Sequence, residues 1–243
     1  MQLSLEVTLL YGGFPYAFEI WDLLGPTHPE YADIEVLVAP RERKFAFGAV
    51  GSHLRNRGIE KLRLQLLGGR IDHGDVPSLK FHRLDLTQVV RDLEDAERWV
   101  EKLLKDERFV QARLYDDEYD HWQNAEDLVF YKTAGRDTAG LPLKSNGLPY
   151  PLTMQIVDIE ANPGRWRLRP GYIESIGATM WFGDRFWKIS GASREALHSC
   201  DGVVVTELAQ GVTRVGAALD VFRSADGLEG DLQKRMRMAL FGS

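Results

Sequence analysis

The chain has 243 residues, 44 % of them apolar and 27 % charged, with a formal net charge of −6 at pH 7. Those values belong to an ordinary folded chain and exclude a disordered or fibrous one. A lone cysteine, Cys200, excludes an intrachain disulfide and a Cys/His zinc framework, while the negative charge argues against direct nucleic-acid binding.

The first residues carry no basic run, and Glu6 interrupts the apolar ones, so no secretory signal is expected. No stretch approaches the roughly 18 apolar residues of a membrane span, and a cytoplasmic location follows as the expectation. Leu3, Leu5, Val7 and Leu9 alternate with Ser4, Glu6 and Thr8, the period of a strand with one buried face, ended by Gly12-Gly13. A helix is expected over 14–24, where Ala17, Ile20, Trp21 and Leu24 share a face before Gly25-Pro26. Ile34, Val36 and Val38 mark a short strand closed by Pro40. Residues 45–67 fit a helix or a strand alike, and Gly48, Gly51 and Gly58 weaken the helix. Gly68-Gly69 and residues 74–77 read as loops, and Leu79, Phe81 and Leu84 as a strand.

The strongest helical spacing runs over 86–105, through Val89, Val90, Leu93, Ala96, Trp99, Val100, Leu103 and Leu104. Thr87 or Asp85 would cap it, with Asp92, Glu94 and Asp95 complementing the positive end of its dipole. A strand over 109–115 is expected to turn Val110, Ala112 and Leu114 inward. The segment 135–151, rich in glycine and proline, reads as the longest loop. Strands over 173–182 and 186–189 are expected to pair across Gly183-Asp184, and a second hairpin over 203–208 and 212–218 turns at Gln210-Gly211. Between them Ser193 caps a short helix to His198. A last helix over 228–240 aligns Leu228, Leu232, Met236 and Leu240, with Lys234, Arg235 and Arg237 toward solvent. Strands grouped in hairpins with flanking helices predict an α+β fold built on an antiparallel sheet. One domain over 1–243 is expected, with a two-lobed division near 135–151 as the alternative.

Charge is unevenly spread. Residues 85–127 hold 14 acidic and 6 basic side chains, and residues 41–70 hold 8 basic and 2 acidic, which predicts one acidic and one basic surface. Nucleophile elbows, Walker loops, Gly-x-Gly-x-x-Gly and His-Glu-x-x-His are all absent from the sequence. No catalytic residue, cofactor or resident metal is therefore assigned. Cys200 beside His198 is not a dyad by sequence, and a buried structural thiol is the plainer reading. Asp72, His73, Asp75 and His82 are the one set with metal-ligand chemistry, the basis of an alternative reading as a metal-dependent enzyme; turn chemistry explains the Asp and Gly equally well. Trp181, Phe182, Phe186 and Trp187 are expected in the core. Arg165, Trp166, Arg167 and Arg169 form a basic-aromatic run of the kind that stacks on bases or phosphates, but in a chain of net negative charge salt bridges to the acidic face are the expectation.

Tyr115, Asp116, Asp117, Glu118, Tyr119, Asp120 and Trp122 combine carboxylates, which steer a basic partner, with the aromatic types that anchor interfaces. They form the candidate binding patch, although a solvated turn after the strand would use the same residues.

The order of elements resembles the immunity proteins of bacterial polymorphic-toxin and type VI secretion systems, in particular the family paired with toxins of restriction-endonuclease fold. The strand over 3–9 carries the resemblance, together with Ile176-Gly177-Ala178-Thr179-Met180-Trp181-Phe182-Gly183, the stretch 193–198 and the paired strands up to Ala218. The family has a Trp-Gly pair and a Tyr-x-x-x-Cys; here Phe182 separates Trp181 from Gly183, and Ala196 precedes Cys200 at the Tyr position. The resemblance implies an inhibitor that binds a cognate toxin carrying a nuclease domain and blocks it in the cytoplasm, with neither membrane nor nucleic acid as partner.

Overall fold

A computed structural model describes residues 3–12, 17–24, 28–31, 35–38, 43–57, 61–66, 68–208 and 211–242. Expectations placed on Gly13, Phe14, Gly25, Pro26, Ile34, Pro40, Gly58, Ile59, Leu67 and Gln210 lie outside the described residues. The N-terminal strand β1 (Leu3–Leu10) is central to a ten-stranded sheet. On one side of it lie β6 (Phe81–Val90), β5 (Gly69–Val76), β4 (Arg63–Leu66), β2 (Glu35–Val38) and the edge strand β3 (Arg43–Ala46). On the other lie β7 (Phe109–Asp116), β12 (Thr179–Phe182), β14 (Thr213–Gly216) and the edge strand β13 (Val204–Glu207). Neighbours pair antiparallel throughout. With eight helices among the described residues, this is the expected α+β fold.

Alternation within each strand sends successive side chains to opposite faces. Leu5, Val7, Leu84, Ile71, Leu64, Leu114 and Trp181 meet one large apolar core with α1 (Ala17–Leu24), α2 (Val50–Arg57) and α3 (Leu93–Val100). Met180, Phe182 and Val215 point the other way, into a second core with α6 (Asp184–Ser190), α7 (Arg194–His198) and α8 (Gly227–Phe241). A bulge at Val110 breaks the β1–β7 register between Thr8 and Leu9. It puts Val110 with Gln111 on the second face, so Val110 does not share the face of Ala112 and Leu114. Between the helical cover of this second face and its open end, Ser4, Glu6, Thr8, Gln111 and Arg113 are all buried. That polar strip is the unusual part of the sheet.

Several local expectations are corrected. The helix expected over 86–105 is split: β6 continues to Val90, and α3 begins at Leu93 with Asp92 accepting from the Asp95 amide at 2.8 Å. Strand and helix feed the same core, so their apolar residues run on across the turn and mimic one long period. The hairpin across Gly183-Asp184 does not form. Gly183 instead precedes α6, where Phe186 stacks on Phe182 at 4.2 Å, and a Cβ on Gly183 would lie 2.8 Å from the Phe109 carbonyl oxygen. Residues 74–76 extend β5 rather than forming a loop. In 45–67 both readings apply in turn, as β3, α2 and β4. On α8, Arg237 is buried, bonded to Glu174 Oε1 at 3.2 Å and to the Pro163 and Arg165 carbonyls, whereas Leu228 is exposed. The hairpin β13–β14 and the Ser193 cap, which accepts from the Ala196 amide, match expectation. Among the described residues, no helix is long and apolar enough to cross a membrane.

Candidate functional site

Beyond the polar strip, the second face of β6, β5, β4 and β2 is left uncovered and forms an open cleft of about 980 Å³. Its floor carries Leu37, Gln65, Arg70 and Thr87, with Glu35 and Lys44 at the outer end. The inner wall is α4 (Asp117–Asn124), which presents Asp117, Glu118 and His121. The acidic run thus forms a helix. Asp116 caps it by accepting from the Tyr119 amide at 2.9 Å, and Asp117, Glu118 and Asp120 lie in the first turn, where the helix dipole favours them.

A β-bulge shapes the corner between floor and wall. The β1–β6 register slips between Leu3 and Leu5, and Gln88 takes a left-handed φ of 59°, a conformation that non-glycine residues adopt at a cost. The Gln88 amide donates to Ser4 Oγ at 3.1 Å, and its side-chain NH2 donates to Asp117 Oδ2 at 3.1 Å. Gly69 permits the bulge: a Cβ there would lie 2.4 Å from the Thr87 carbonyl oxygen and 2.7 Å from that of Gln88.

Beside the cleft, buried charges knit β1, β6, β7 and α4 together. Arg113 bonds Glu6 Oε1 at 2.9 Å and Asp120 Oδ1 at 2.7 Å; Arg83 forms an ion pair with Glu6 Oε2 at 2.8 Å and bonds Asp85 at 2.9 Å. The Arg113 guanidinium lies 4.6 Å from the centre of the Tyr115 ring. Burial pushes the Glu6 carboxyl up, but Arg113 and Arg83 outweigh it and hold Glu6 below the usual carboxylate range. Burial, reinforced by the neighbouring Glu6 charge, outweighs Arg83 and the more distant Arg113 at Asp85, which is pushed up to about 6. Asp120 is also raised, by burial first, which Arg113 only partly offsets.

The seven residues of the candidate patch therefore divide. Asp117 and Glu118 line the cleft, Glu118 within 3.3 Å of Arg136. Asp116 serves as the cap and Asp120 is spent on Arg113. Tyr115 packs beneath that guanidinium, and the Tyr119 hydroxyl donates to Gln233 Oε1 at 2.9 Å. Trp122 packs on Tyr131 and carries the Arg136 guanidinium 3.9 Å from its ring centre. Sequence reasoning missed Gln88 and Gly69, the first read into a helix and the second into a loop. The doublet Gly68-Gly69 was the one available signal, because adjacent glycines also mark a close backbone approach.

Five of the eight basic residues of 41–70 are paired: Lys44 with Glu35, Arg55 with Asp22, Lys61 with Asp75, and Arg63 and Arg70 both with Asp72; Arg41 lies outside the described residues. Arg165 and Arg167 pair with Glu160, and Arg169 with Glu174, so these arginines are salt-bridged, but to carboxylates outside the acidic run 85–127 where their partners were expected.

Of the metal-ligand set, His73 and His82 approach to 5.3 Å between ring centres, with Asp75 opposite His82 in register. Asp72 faces the other side of β5 and is held by two arginines. Among the described residues, His28, Glu30 and Asp95 alone bring three ligand atoms within 4.8 Å of one another. There Arg91 and Arg98 each contact both carboxylates, so the site already holds its positive charge.

No protein-family model and no curated protein matches the chain. Among solved structures, the fold is similar to that of a T6SS protein of Pseudomonas aeruginosa, with a TM-score of 0.52 and 7 % identity over 98 % of this chain and 73 % of that one. At that identity the likeness is one of fold.

Proposed function

We propose that the chain is an immunity protein, a stoichiometric inhibitor that binds a cognate secreted toxin of nuclease type and acts by contact rather than catalysis. The observation that carries this reading is the open cleft: a sheet floor, a helical wall, and Asp117 and Glu118 on its lip. Small-molecule sites are mostly apolar and enclose their ligand, whereas this one is polar and open, suited to a protein surface. Carboxylates there complement the basic cleft with which a nuclease holds phosphates, and speed the encounter. A fold shared with a T6SS protein supports the setting, and a toxin that cuts nucleic acid would be met in the cytoplasm.

The test is the product of the adjacent reading frame. Co-expression of this chain should rescue cells from that product, and the purified protein should abolish its nuclease activity at a one-to-one ratio. Asp117→Lys with Glu118→Lys should slow association about tenfold at low salt, a difference that shrinks as salt screens the charges. Absence of rescue and of binding would refute the immunity reading; unchanged association at every salt concentration would remove the lip from the interface.

A further inference from the structure

Residues 145–157 contain no charged side chain, yet the apolar ones between Leu148 and Met154 are not buried. They belong to a hairpin of β8 (Leu143–Ser145) and β9 (Gln155–Val157). At its tip Tyr150 is 92 % exposed, Leu152 64 %, Met154 52 % and Leu148 50 %. Large apolar side chains grouped in water mark an interaction site.

The tip is also braced from within. Asn146 Oδ1 accepts from the amides of Leu148 and Met154 at 3.2 Å each, and its NH2 donates to the Leu152 carbonyl at 2.9 Å. The Thr153 hydroxyl donates to the Leu148 carbonyl at 2.6 Å. Little conformational entropy remains to be lost when this loop is gripped, which is how a preorganised loop gains affinity.

We propose that the tip is a preformed anchor that inserts Tyr150, flanked by Leu148 and Leu152, into an apolar pocket of the partner protein. The proposal rests on the binding reading above and adds the partner's chemistry: an apolar pocket beside a basic surface. The basic surface follows from Asp117 and Glu118, and α5 (Leu128–Thr133) joins the two regions. Phe130 on α5 lies 5.4 Å from His121 at the cleft, while its neighbour Tyr131 shares a small core with Val157 of β9. A second copy of this chain is the wrong occupant. Two tips meeting across a two-fold axis would bury only a few side chains each, too little for a stable interface. The open cleft is no better a receptor, because Glu35, Lys44, Arg70, Asp117 and Glu118 would be desolvated by an apolar loop. The four exposed apolar side chains of the tip are too few to supply the roughly 800 Å² per partner of a stable complex. The contact must therefore extend along α5 to the lip.

The experiment measures binding of the purified product of the adjacent reading frame to wild type, to Tyr150→Ser/Leu152→Ser, and to Asp117→Lys/Glu118→Lys. The tip variant should keep the wild-type Tm, since both side chains are exposed, and should weaken binding on the order of 30-fold. That loss should sit mainly in the off-rate and be independent of salt between 50 and 500 mM NaCl, unlike the charge-reversal effect. Tyr150→Ser alone replaces the double variant if the latter unfolds. Wild-type affinity in the tip variant overturns the anchor and leaves the binding reading standing; no binding by wild type itself overturns both. A wild-type dimer in sedimentation that the tip variant dissociates would make a second copy the occupant and overturn the proposal as well.

Discussion

Arg113→Met tests whether the buried charges beside the cleft hold the sheet and α4 together. The guanidinium is buried between Glu6 and Asp120, at 2.9 and 2.7 Å. Removing one partner of such a group costs about 3–5 kcal/mol, because the remaining charge is left without compensation in a poorly solvated site. Glu6 keeps Arg83 at 2.8 Å, and Asp120, slightly exposed, can turn toward water. The lower end of the range, about 3 kcal/mol, is therefore expected. For a chain of this length that corresponds to a fall in Tm of roughly 6–12 °C. The loss should depend on pH with a definite sign. Without Arg113 the folded state raises the Glu6 and Asp120 pKa values above their unfolded ones, so it binds more protons than the unfolded state, and stability falls as pH rises through the raised values. Urea unfolding followed by tryptophan fluorescence should thus show a larger deficit at pH 8 than at pH 5. A deficit below about 1 kcal/mol at pH 8, or the same deficit at both pH values, would refute the reasoning.

Two further perturbations report on other parts of the fold. Burial, with His82 nearby, pushes the His73 imidazole down to about 4, and neither ring nitrogen has a hydrogen-bond partner among the described residues. The unfolded chain binds the proton first, so this group's contribution is intact above about pH 6.5 and is lost as pH falls through 4. His73→Leu should flatten the stability profile between pH 6.5 and 4 in urea titrations; an unchanged acid slope would show that other groups set it. Gly69→Ala forces a Cβ against the bulge carbonyls and should cost about 1–3 kcal/mol, read as a lowered urea midpoint. An unaffected midpoint would mean the bulge yields without strain. The same variant should disturb Gln88 and with it the Asp117 side chain, so a parallel loss of toxin binding is expected.

Legibility followed the range of the interactions. β1, β7 and the hairpin β13–β14 were readable because one face of each, or a turn residue, writes a short period into neighbouring positions. The helix expected over 86–105 failed because β6 and α3 bury their apolar residues in one core, and a continuous apolar pattern does not record where the backbone changes direction. The Gly183-Asp184 turn failed because Gly183 answers to Phe109, more than seventy residues earlier in the chain. In the candidate patch, composition marked the segment but not the division of labour. Asp117 and Asp120 are the same residue type three positions apart; one faces the cleft and the other is consumed by Arg113 of β7.

By itself the amino-acid sequence determined the α+β class, the central alternating strand, the C-terminal hairpin and helix, and the segment whose carboxylates deserve testing. These are properties of local period and residue type, which neighbouring positions share. Only the tertiary structure decided that β1 is buried on both faces, with Glu6 held between Arg113 and Arg83. It alone joined β2, β5 and β6 to α4 around one cleft, and left Tyr150 and its neighbours outside the core. Those outcomes depend on which strands pair and which face a helix covers, and such long-range contacts leave no period in the chain.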